Sequence, residues 1–498
     1  MFSLGFDIGS SSVKAALIDL KSNHVMDVVQ YPATEMPINS PRQGWAEQDP
    51  EVWWKNLIRA TELLLMRKGD KVISQILGIG ISYQMHGLVL LGKHGEVLRP
   101  SIIWCDSRAV EIGNLAAQNI GEEVCFDRML NHPGNFTASK FKWVQDNEPD
   151  VYNKVKKIML PGDFLAFKMT GEINTTPSGL SEGILWDFKN NRPASFAFDV
   201  FGIKEDMIPS IVNTFSRQGY VSSEAASLLG IPKNIPVCYR AGDQPNNAMS
   251  LGAIEAGEIA ATGGTSGVVY GVMDHNIVDR YSRINSFAHV NYTNENQMTG
   301  VLLCINGAGS FYRWVRETMT GGMSTYDEME ALASKISIGS DGLVILPFGN
   351  GAERMLCNKD LGAQILSINL NRYSKNHIYR ASLEGVAFSF VYGVEILKEL
   401  GVNIELIKAG NDNLFRSNLF STVISTLLKC EIHLVDTTGA IGAAKAVGYT
   451  LGIRTDLKQA MSGNKIEKVI TPVLGEESKY QLAYKHWKNN LEEQLNRA

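Results

Sequence analysis

The fold of this 498-residue chain is decided by a stretch near its start, Phe6-Asp7-Ile8-Gly9-Ser10-Ser11-Ser12-Val13-Lys14. Apolar residues lead up to Ile8, a turn of glycine and serines follows, and apolar residues resume at Val13. Two apolar runs joined by a short turn signal predict a β-hairpin. Asp7 lies inside the first run, where a carboxylate is costly unless it is paired or close to a ligand. We therefore expect Asp7 to belong to a functional site.

A later stretch of the chain repeats this pattern. The apolar residues 259–262 lead into Gly263-Gly264-Thr265-Ser266-Gly267, after which the sequence is apolar again. An apolar strand also stands just before Asp243. These similarities indicate an internal duplication, and we predict two domains, residues 1–248 and residues 249–498. The length agrees with two domains, because a single core stops growing at about 250–300 residues.

Predicted strands and helices alternate elsewhere in the chain. Asp49-Pro50-Glu51 is typical of a helix start, with an N-cap, a proline at the first position and an acid in the first turn. Apolar runs predict strands over 76–82 and 98–104, and helical spacing predicts helices over 380–400, 418–428 and 439–451. The alternation predicts an α/β architecture. The last helix is rich in glycine and alanine, which indicates a close neighbour, either a sheet or a ligand.

Composition excludes several classes of protein. The chain has 47 basic and 52 acidic residues, a net charge of −5, whereas proteins that bind nucleic acid or anionic membranes usually carry a basic excess. Its six cysteines form no CxxC pair, which suits a reducing compartment. The N-terminal residues have no basic n-region and no apolar run is long enough to span a membrane. We expect a cytoplasmic protein.

Backbone N–H groups and hydroxyls of the two glycine- and serine-rich turns are suited to holding phosphate. Taken alone, either turn is more typical of an ordinary hairpin, and the pair of turns is more informative than either one. The sequence contains no P-loop motif and no dinucleotide-binding G-x-G-x-x-G after a strand. Asp7 and Asp243, at predicted strand ends, could assist phosphoryl transfer as a base or beside Mg²⁺, or could only cap neighbouring turns.

Two polar loops follow successive predicted strands, Gln84-Met85-His86-Gly87 and Trp104-Cys105-Asp106-Ser107-Arg108. In α/β proteins the loops at the carboxyl ends of strands hold ligands, and Gln and His side chains suit hydroxyl groups. The stretch Gly179-Leu180-Ser181-Glu182-Gly183 matches the G-x-S-x-G motif of hydrolases. That motif needs a buried apolar strand before it, and here the preceding residues are polar and include a proline, so we interpret the match as accidental.

In this order the motifs resemble those of the FGGY carbohydrate kinases, over Phe6 to about Gly452. The motifs that carry the resemblance are Asp7–Lys14, Gly44–Pro50, Gln84–Gly87, Trp104–Arg108, Thr137–Trp143, Gly242-Asp243, Gly264–Gly267 and His377–Glu384. The resemblance implies an α/β, two-domain actin-like ATPase (ribonuclease H-like) fold with the active site in the interdomain cleft. It also implies an ATP-dependent sugar kinase that uses Mg²⁺, with the sugar on the first domain and the nucleotide on the second.

By the same resemblance, each candidate residue has an expected role. Asp243 would be the catalytic base and Asp7 would act near the phosphates, both close to the metal. The sugar would contact Met85, His86, Asp106 and Gln244. The nucleotide would contact Gly9, Ser11, Ser12, Lys14, Gly264, Thr265, Ser266, Gly410 and Asn411.

The expected sugar is D-xylulose, with gluconate as the alternative. Glycerol kinases of the family have Arg-Glu where Met85-His86 stand, which disfavours glycerol. Two departures from the family pattern are Gln244, where Asn is usual, and the loop at Gly410, which keeps one of three usual glycines and leaves nucleotide preference open. The resemblance suggests a homodimer. Two alternatives from other classes are an actin-like ATPase without a sugar substrate and a sugar-binding regulator without kinase activity.

Overall fold

The computed structural model describes residues 1–497, which form two α/β halves, each built on one mixed sheet. The first sheet has the strand order β5-β4-β1-β2-β3. Its strands are β1 (Phe2–Ile8), β2 (Val13–Asp19), β3 (His24–Tyr31), β4 (Ile76–Tyr83) and β5 (Val237–Gly242). Strand β2 is antiparallel to both of its neighbours, β1 and β3, and β4 and β5 run parallel to β1. The predicted hairpin is therefore the centre of this sheet.

The second sheet has the order β8-β9-β7-β6-β10-β11-β12. Its strands are β6 (Ile259–Gly263), β7 (Gly267–Met273), β8 (Asn285–Ala288), β9 (Thr299–Ile305), β10 (Leu406–Gly410), β11 (Glu431–Val435) and β12 (Ile466–Ile470). Strands β6 and β7 are the second predicted hairpin, β9 is antiparallel to β7, and β10 and β11 are parallel to β6. Five strands of each sheet thus share one arrangement, which confirms the internal duplication.

Helices cover the sheets and connect their strands. Those of six residues or more are α1 (Pro50–Leu65), α2 (Val110–Ile120), α3 (Glu122–Met129), α4 (Thr137–Asn147), α5 (Pro161–Thr170), α6 (Pro177–Glu182), α7 (Ser223–Leu229), α8 (Asp243–Ser250), α9 (Gly309–Thr320), α10 (Tyr326–Ala333), α11 (Lys375–Glu399), α12 (Asn418–Leu428), α13 (Gly439–Thr450) and α14 (Glu477–Arg497). No helix within residues 1–497 is long and apolar enough to cross a membrane.

Local signals place several helix ends where the sequence predicts them. Asp49 caps α1 by accepting a hydrogen bond from the Glu51 N–H, and Pro50 is the first helical residue. Helix α12 has the predicted bounds. Helix α11 begins earlier than predicted, at Lys375, because Ser374 caps it and His377 completes the capping contact.

The predicted strand over 98–104 is wrong for most of its length. Only Ser101–Ile102 is a strand, and it pairs with Glu47–Gln48. The physical reason is Pro100, which has no N–H for a strand ladder and confines the extended segment to the residues after it.

Helix α13 packs directly on the first sheet although its sequence belongs to the second half. A Cβ at Gly5 would lie 2.0 Å from the carbonyl oxygen of Ala440, and a Cβ at Gly80 would lie 2.0 Å from that of Ala443. Ser3 Oγ donates to the Ala444 carbonyl at 2.8 Å. The close neighbour predicted for this helix is therefore the sheet.

Helix α8 makes the reciprocal connection. It begins where β5 ends, and Ala248 shares a hydrophobic core with Ala260 and Val268 of the second half. The Asn246 side chain donates to the Gly439 carbonyl at 3.0 Å, at the start of α13. The two helices thus cross at the junction and fix the orientation of one sheet relative to the other.

Candidate active site

A cavity of about 490 Å³ lies between the two halves. Residues of the first half that line it include Asp7, Gly9, Ser10, Ser11, Ser12, Lys14, Gln84, Met85, His86, Trp104, Asn135, Phe136, Asp243 and Gln244. Residues of the second half that line it include Ser266, Asn285, Cys304, Asn306, Arg354 and Asn358. Most of the predicted site residues therefore meet in one place.

The first hairpin turn faces this cavity. The Gly9 N–H donates to the Ser12 carbonyl at 3.0 Å and closes the turn. Gln48 holds it from behind, because its Nε2 donates to the Ser10 carbonyl at 2.7 Å. Lys14 is the residue opposite Asp7 in the β1–β2 register, so its ammonium group adds a cation to the turn.

The second hairpin turn lies between this cavity and another one. Ser266 lines the first cavity, whereas Gly264 and Thr265 line the second. The start of α9 holds the turn, since the Gly309 and Ser310 N–H groups donate to the carbonyls of Gly264 and Thr265, each at 3.0 Å. A ligand that occupies both cavities would pass along this turn.

The second cavity, also about 490 Å³, lies wholly in the second half. It is lined by Gly263, Gly264, Thr265, Gly309, Ser310, Tyr312, Arg313, Thr325, Tyr326, Asp327, Glu330, Leu383, Asn413, Leu414, Arg416 and Ser417. Tyr312 and Tyr326 stack with ring centroids 5.6 Å apart. Aromatic rings surrounded by polar groups can take up a heterocyclic base and its ribose.

Two predicted nucleotide contacts lie outside both cavities. Gly410 ends β10, and the Asn411 N–H is bonded to the Val435 carbonyl at 3.1 Å. The residues that reach the second cavity from this loop are Asn413 and Leu414. Gly410 faces Asp412 instead, since a Cβ there would lie 2.8 Å from Asp412 Oδ1.

The two aspartates lie at the carboxyl ends of two strands of the first sheet. Asp7 is in β1 and Asp243 begins α8 directly after β5. Only β4 separates these strands, which at about 4.8 Å per strand puts the two backbone positions roughly 10 Å apart. Burial and the Asp7 carboxylate raise the pKa of Asp243 to about 7. A carboxyl group with that pKa is suited to accept a proton near neutral pH.

Asp7 is held on one side and open on the other. Ser82 Oγ donates to Asp7 Oδ1 at 2.9 Å. A Cβ at Gly439 would lie 2.6 Å from Asp7 Oδ2 and 2.8 Å from Asn247 Oδ1, so glycine there leaves room around two oxygen atoms. Within residues 1–497 no three His, Cys, Asp or Glu side chains form a metal cluster. Asp7 Oδ2 and Asn247 Oδ1 nevertheless fit Mg²⁺, because this ion needs few protein carboxylates when phosphate and water complete its coordination.

The Gln84–Gly87 loop holds His86 in a left-handed backbone conformation, with φ of 62°. His86 Nδ1 lies 2.8 Å from the Glu182 carbonyl, and burial lowers the pKa of His86 to about 3. The ring is therefore neutral, and Nδ1 carries the hydrogen that it donates to this carbonyl. Nε2 remains as an acceptor for a hydroxyl group.

Lys140 supports this loop from below, a role that the sequence analysis missed. Its buried Nζ donates to the carbonyls of His86 at 2.9 Å and Ile103 at 3.0 Å. Burial lowers the pKa of Lys140 to about 7. The side chain joins the two strand-end loops that the sequence predicted to hold a ligand.

Asp106 does not face the cavity, contrary to the predicted sugar contact. Its side chain is fully buried and accepts hydrogen bonds from the Ala46 N–H at 2.6 Å and from Arg108 Nη2 at 2.7 Å. Arg108 also pairs with Glu47 at 2.7 Å. Both Asp106 oxygens are thus used inside the protein, and the residue holds the loop rather than a substrate.

Glu182 is a second residue that the sequence analysis missed as a site residue. It is fully buried at the end of α6, and its Oε1 faces the His86 N–H at 3.4 Å. Burial and the Asp243 carboxylate raise the pKa of Glu182. The neighbouring Ser181 is buried and accepts from the Ala288 N–H at 3.0 Å, so the G-x-S-x-G match presents no exposed nucleophile.

Arg354 is the third missed residue and comes from the second half. It lines the first cavity, on a turn that follows the short strand Val344–Leu346. The glycines at 349 and 351 mark a polar loop after an apolar strand. This is the same signal that identified the Gln84–Gly87 loop, so the sequence could have shown it.

Comparison with known proteins identifies relatives along almost the whole chain. The model of the FGGY family of carbohydrate kinases, N-terminal domain, matches residues 2–250, and that of the C-terminal domain matches residues 259–451. A xylulose kinase of Lactococcus lactis subsp. lactis (strain IL1403) is 30% identical over 406 residues, covering 80% of this chain and 77% of that protein.

Solved structures of carbohydrate kinases share the fold of this chain. A protein of Brucella ovis, described as a xyloylose kinase, has a TM-score of 0.88 at 26% identity and covers 98% of both chains. A gluconate kinase of Lactobacillus acidophilus has a TM-score of 0.89 at 20% identity, over 99% of this chain and 98% of its own. These likenesses confirm the predicted two-domain α/β fold of the actin-like ATPase class.

The role of Lys140 can be tested by its loss. We expect Lys140→Met to lower the free energy of unfolding by about 1–3 kcal/mol, because it leaves the His86 carbonyl without a donor, whereas the Ile103 carbonyl keeps the Asp106 N–H at 3.2 Å. The matched control is Lys142→Met on the same helix, where the partly exposed pair with Asp146 is worth about 1 kcal/mol or less. Chemical denaturation measures both variants. Equal stability of the two variants would contradict this role.

Proposed function

The chain belongs to the FGGY family of carbohydrate kinases, and we propose that it transfers the γ-phosphoryl group of ATP to D-xylulose, giving D-xylulose 5-phosphate. The observation that carries the proposal is the shared cavity. One space is lined by the glycine–serine turn at 9–12, by Met85, by His86 with its free acceptor Nε2, and by Asp243. The similarity to a xylulose kinase over most of the chain supports the choice of sugar.

Residues 1–248 form the sugar side in this proposal and residues 249–498 the nucleotide side. The loop with Met85 and His86 belongs to the first part, and the cavity with the stacked tyrosines belongs to the second. The base and ribose of ATP would occupy that second cavity. Its phosphates would then follow the turn at Gly264–Ser266 towards the sugar.

Asp243 acts as the base in this reaction. It accepts the proton of the sugar's terminal hydroxyl while the hydroxyl oxygen bonds to the γ-phosphorus and the bond to the ADP oxygen breaks. Its raised pKa fits this role, because a base with a pKa near 7 is about half ionised at neutral pH and still binds a proton well. Gln244, the next residue, lines the same cavity and would contact the sugar.

In this proposal most of the groups that bind the phosphate oxygens are neutral. The cavity-facing backbone and hydroxyls of Gly9, Ser11, Ser12 and Ser266, with the Lys14 ammonium group, would bind the phosphate oxygens. When bound, Mg²⁺ would neutralise part of the phosphate charge, and Asp7 with the nearby Asn247 oxygen would hold it. Thr265 would contact the transferring phosphoryl group from the second cavity's side.

One observation favours gluconate as a second candidate. Arg354 brings a guanidinium group into the first cavity, and a guanidinium group binds a carboxylate well. The uncharged Met85 and the neutral His86 ring fit a sugar hydroxyl chain of either kind. The two candidates differ at the chain end that is remote from the phosphorylated hydroxyl.

A coupled assay of ADP release tests the proposal over xylulose, ribulose, gluconate, glycerol, rhamnulose and fuculose. We expect the highest kcat/KM with D-xylulose, and Asp243→Asn should lower kcat about 10²–10⁴-fold, the usual contribution of a general base. Asp70→Asn, a change of an exposed carboxylate, is the control and should leave kcat unchanged. Highest activity on another sugar would overturn the named reaction, and full activity of Asp243→Asn would overturn the base.

The pH dependence follows from the raised pKa of Asp243. The base must be ionised, so kcat/KM for the sugar should be constant above pH 8 and fall about tenfold per pH unit well below the pKa of about 7. The measurement is the initial rate at low sugar and saturating ATP from pH 8 to pH 5.5. A profile that stays flat down to pH 5.5 would exclude a base with this pKa.

A further inference from the structure

Arg354 belongs to the second half and lines the first cavity, on the wall opposite the Gln84–Gly87 loop. Its guanidinium carbon lies 5.9 Å from the centroid of the Phe136 ring, and Phe136 packs edge-on against His86 at 4.8 Å between centroids. The charge of Arg354 contributes to the lowered pKa values of His86 and His132. The guanidinium group is therefore a neighbour of His86, at the sugar end of the cavity.

The turn that carries Arg354 is fixed by the residue before it. Glu353 is fully buried, and its two oxygens accept hydrogen bonds from the N–H groups of Asn306 and Gly307, both at 2.9 Å. The Glu353 N–H is bonded to the Lys359 carbonyl at 3.0 Å. Arg354 is thus held at the cavity wall by the protein itself, before any ligand binds.

Few acceptor groups of the protein offset the positive charge of the Arg354 guanidinium group. In the part of the chain that the structure describes, no carboxylate lies within 4.0 Å of its nitrogens. The adjacent Glu353 uses its carboxylate on the backbone amides instead. One nitrogen, Nη1, donates to the Ser282 carbonyl at 3.4 Å, and burial lowers the pKa of the group. A partly buried cation of this kind is stabilised when a ligand brings an acceptor oxygen to it.

We propose that Arg354 binds the oxygen atoms at the end of the sugar chain remote from the phosphorylated hydroxyl, and that it selects substrates with a carbonyl or carboxylate oxygen there. A guanidinium group only donates hydrogen bonds, and its planar fork suits two adjacent acceptor oxygens. In D-xylulose these are the carbonyl and the neighbouring hydroxyl, and in gluconate they are the carboxylate oxygens. This inference rests on the proposed function, because it assigns a subsite to the same reaction.

Both halves contact the sugar in this arrangement. His86 presents Nε2 as an acceptor from the first half, and Arg354 presents donors from the second. A substrate with both a hydroxyl and a carbonyl oxygen satisfies the two sides at once. An alditol, which has only hydroxyls, offers Arg354 a poorer acceptor.

Calorimetric titration without nucleotide tests this subsite, with the panel sugar that binds wild type best and with the alditol of the same chain. We expect Arg354→Met to weaken binding of the sugar about 10–100-fold, the range for hydrogen bonds to a charged donor. Binding of the alditol should weaken less, so that the preference of wild type for the sugar disappears. Arg354→Lys should give an intermediate loss, and KM for ATP should stay unchanged.

Arg67→Met, a change of an exposed arginine, is the control and should bind the sugar like wild type. Unchanged sugar binding in Arg354→Met would overturn the proposal, and so would an equal loss for sugar and alditol, which indicates a purely structural role. Wild type that binds a sugar but phosphorylates none would refute the proposed function while the titration still decides on Arg354. Wild type that binds no sugar of the panel would overturn both.

Discussion

The contact between α13 and the first sheet is the constraint on which the rest of the structure depends. Backbone meets backbone there, since Gly5 and Gly80 leave no room for a Cβ beside Ala440 and Ala443. This contact brings the start of α13, at Gly439, beside the Asp7 carboxylate. Helix α8 crosses to the other side in return, and its first residue is Asp243. The packing that joins the two halves therefore also sets the position of both aspartates.

Electrostatics in the cleft follow from burial more than from surface charge. The chain carries a net charge of −5, yet its cavity offers N–H groups, hydroxyls and the cations of Lys14 and Arg354 to an anionic ligand. Burial lowers the pKa of His86 to about 3, raises the pKa of Glu182, and with the Asp7 carboxylate raises the pKa of Asp243 to about 7. A carboxyl group with a pKa near 7 can take a proton from a hydroxyl and return it to solvent after the reaction.

Features that depend on local sequence could be predicted, and features that depend on packing could not. The hairpins, the cap of α1 at Asp49 and the placement of Asp7 and Asp243 at strand ends follow from turn chemistry and hydrophobic pattern. Asp106 was misplaced because only the tertiary fold brings Arg108 and the Ala46 N–H to its two oxygens. The contacts of Lys140 and Glu182 with the Gln84–Gly87 loop could not be predicted, since a helix residue shows which loop it supports only when the helix is packed.

In the proposed reaction the two halves hold the sugar and the nucleotide between them and close about the α8–α13 junction. Small-angle X-ray scattering of the full chain, alone and with D-xylulose plus a non-hydrolysable ATP analogue, tests this claim most directly. Closure predicts a smaller radius of gyration with both ligands than with neither, because Arg354 and Ser266 of the second half approach the first half. An unchanged radius of gyration at saturating concentrations of both ligands would contradict the account.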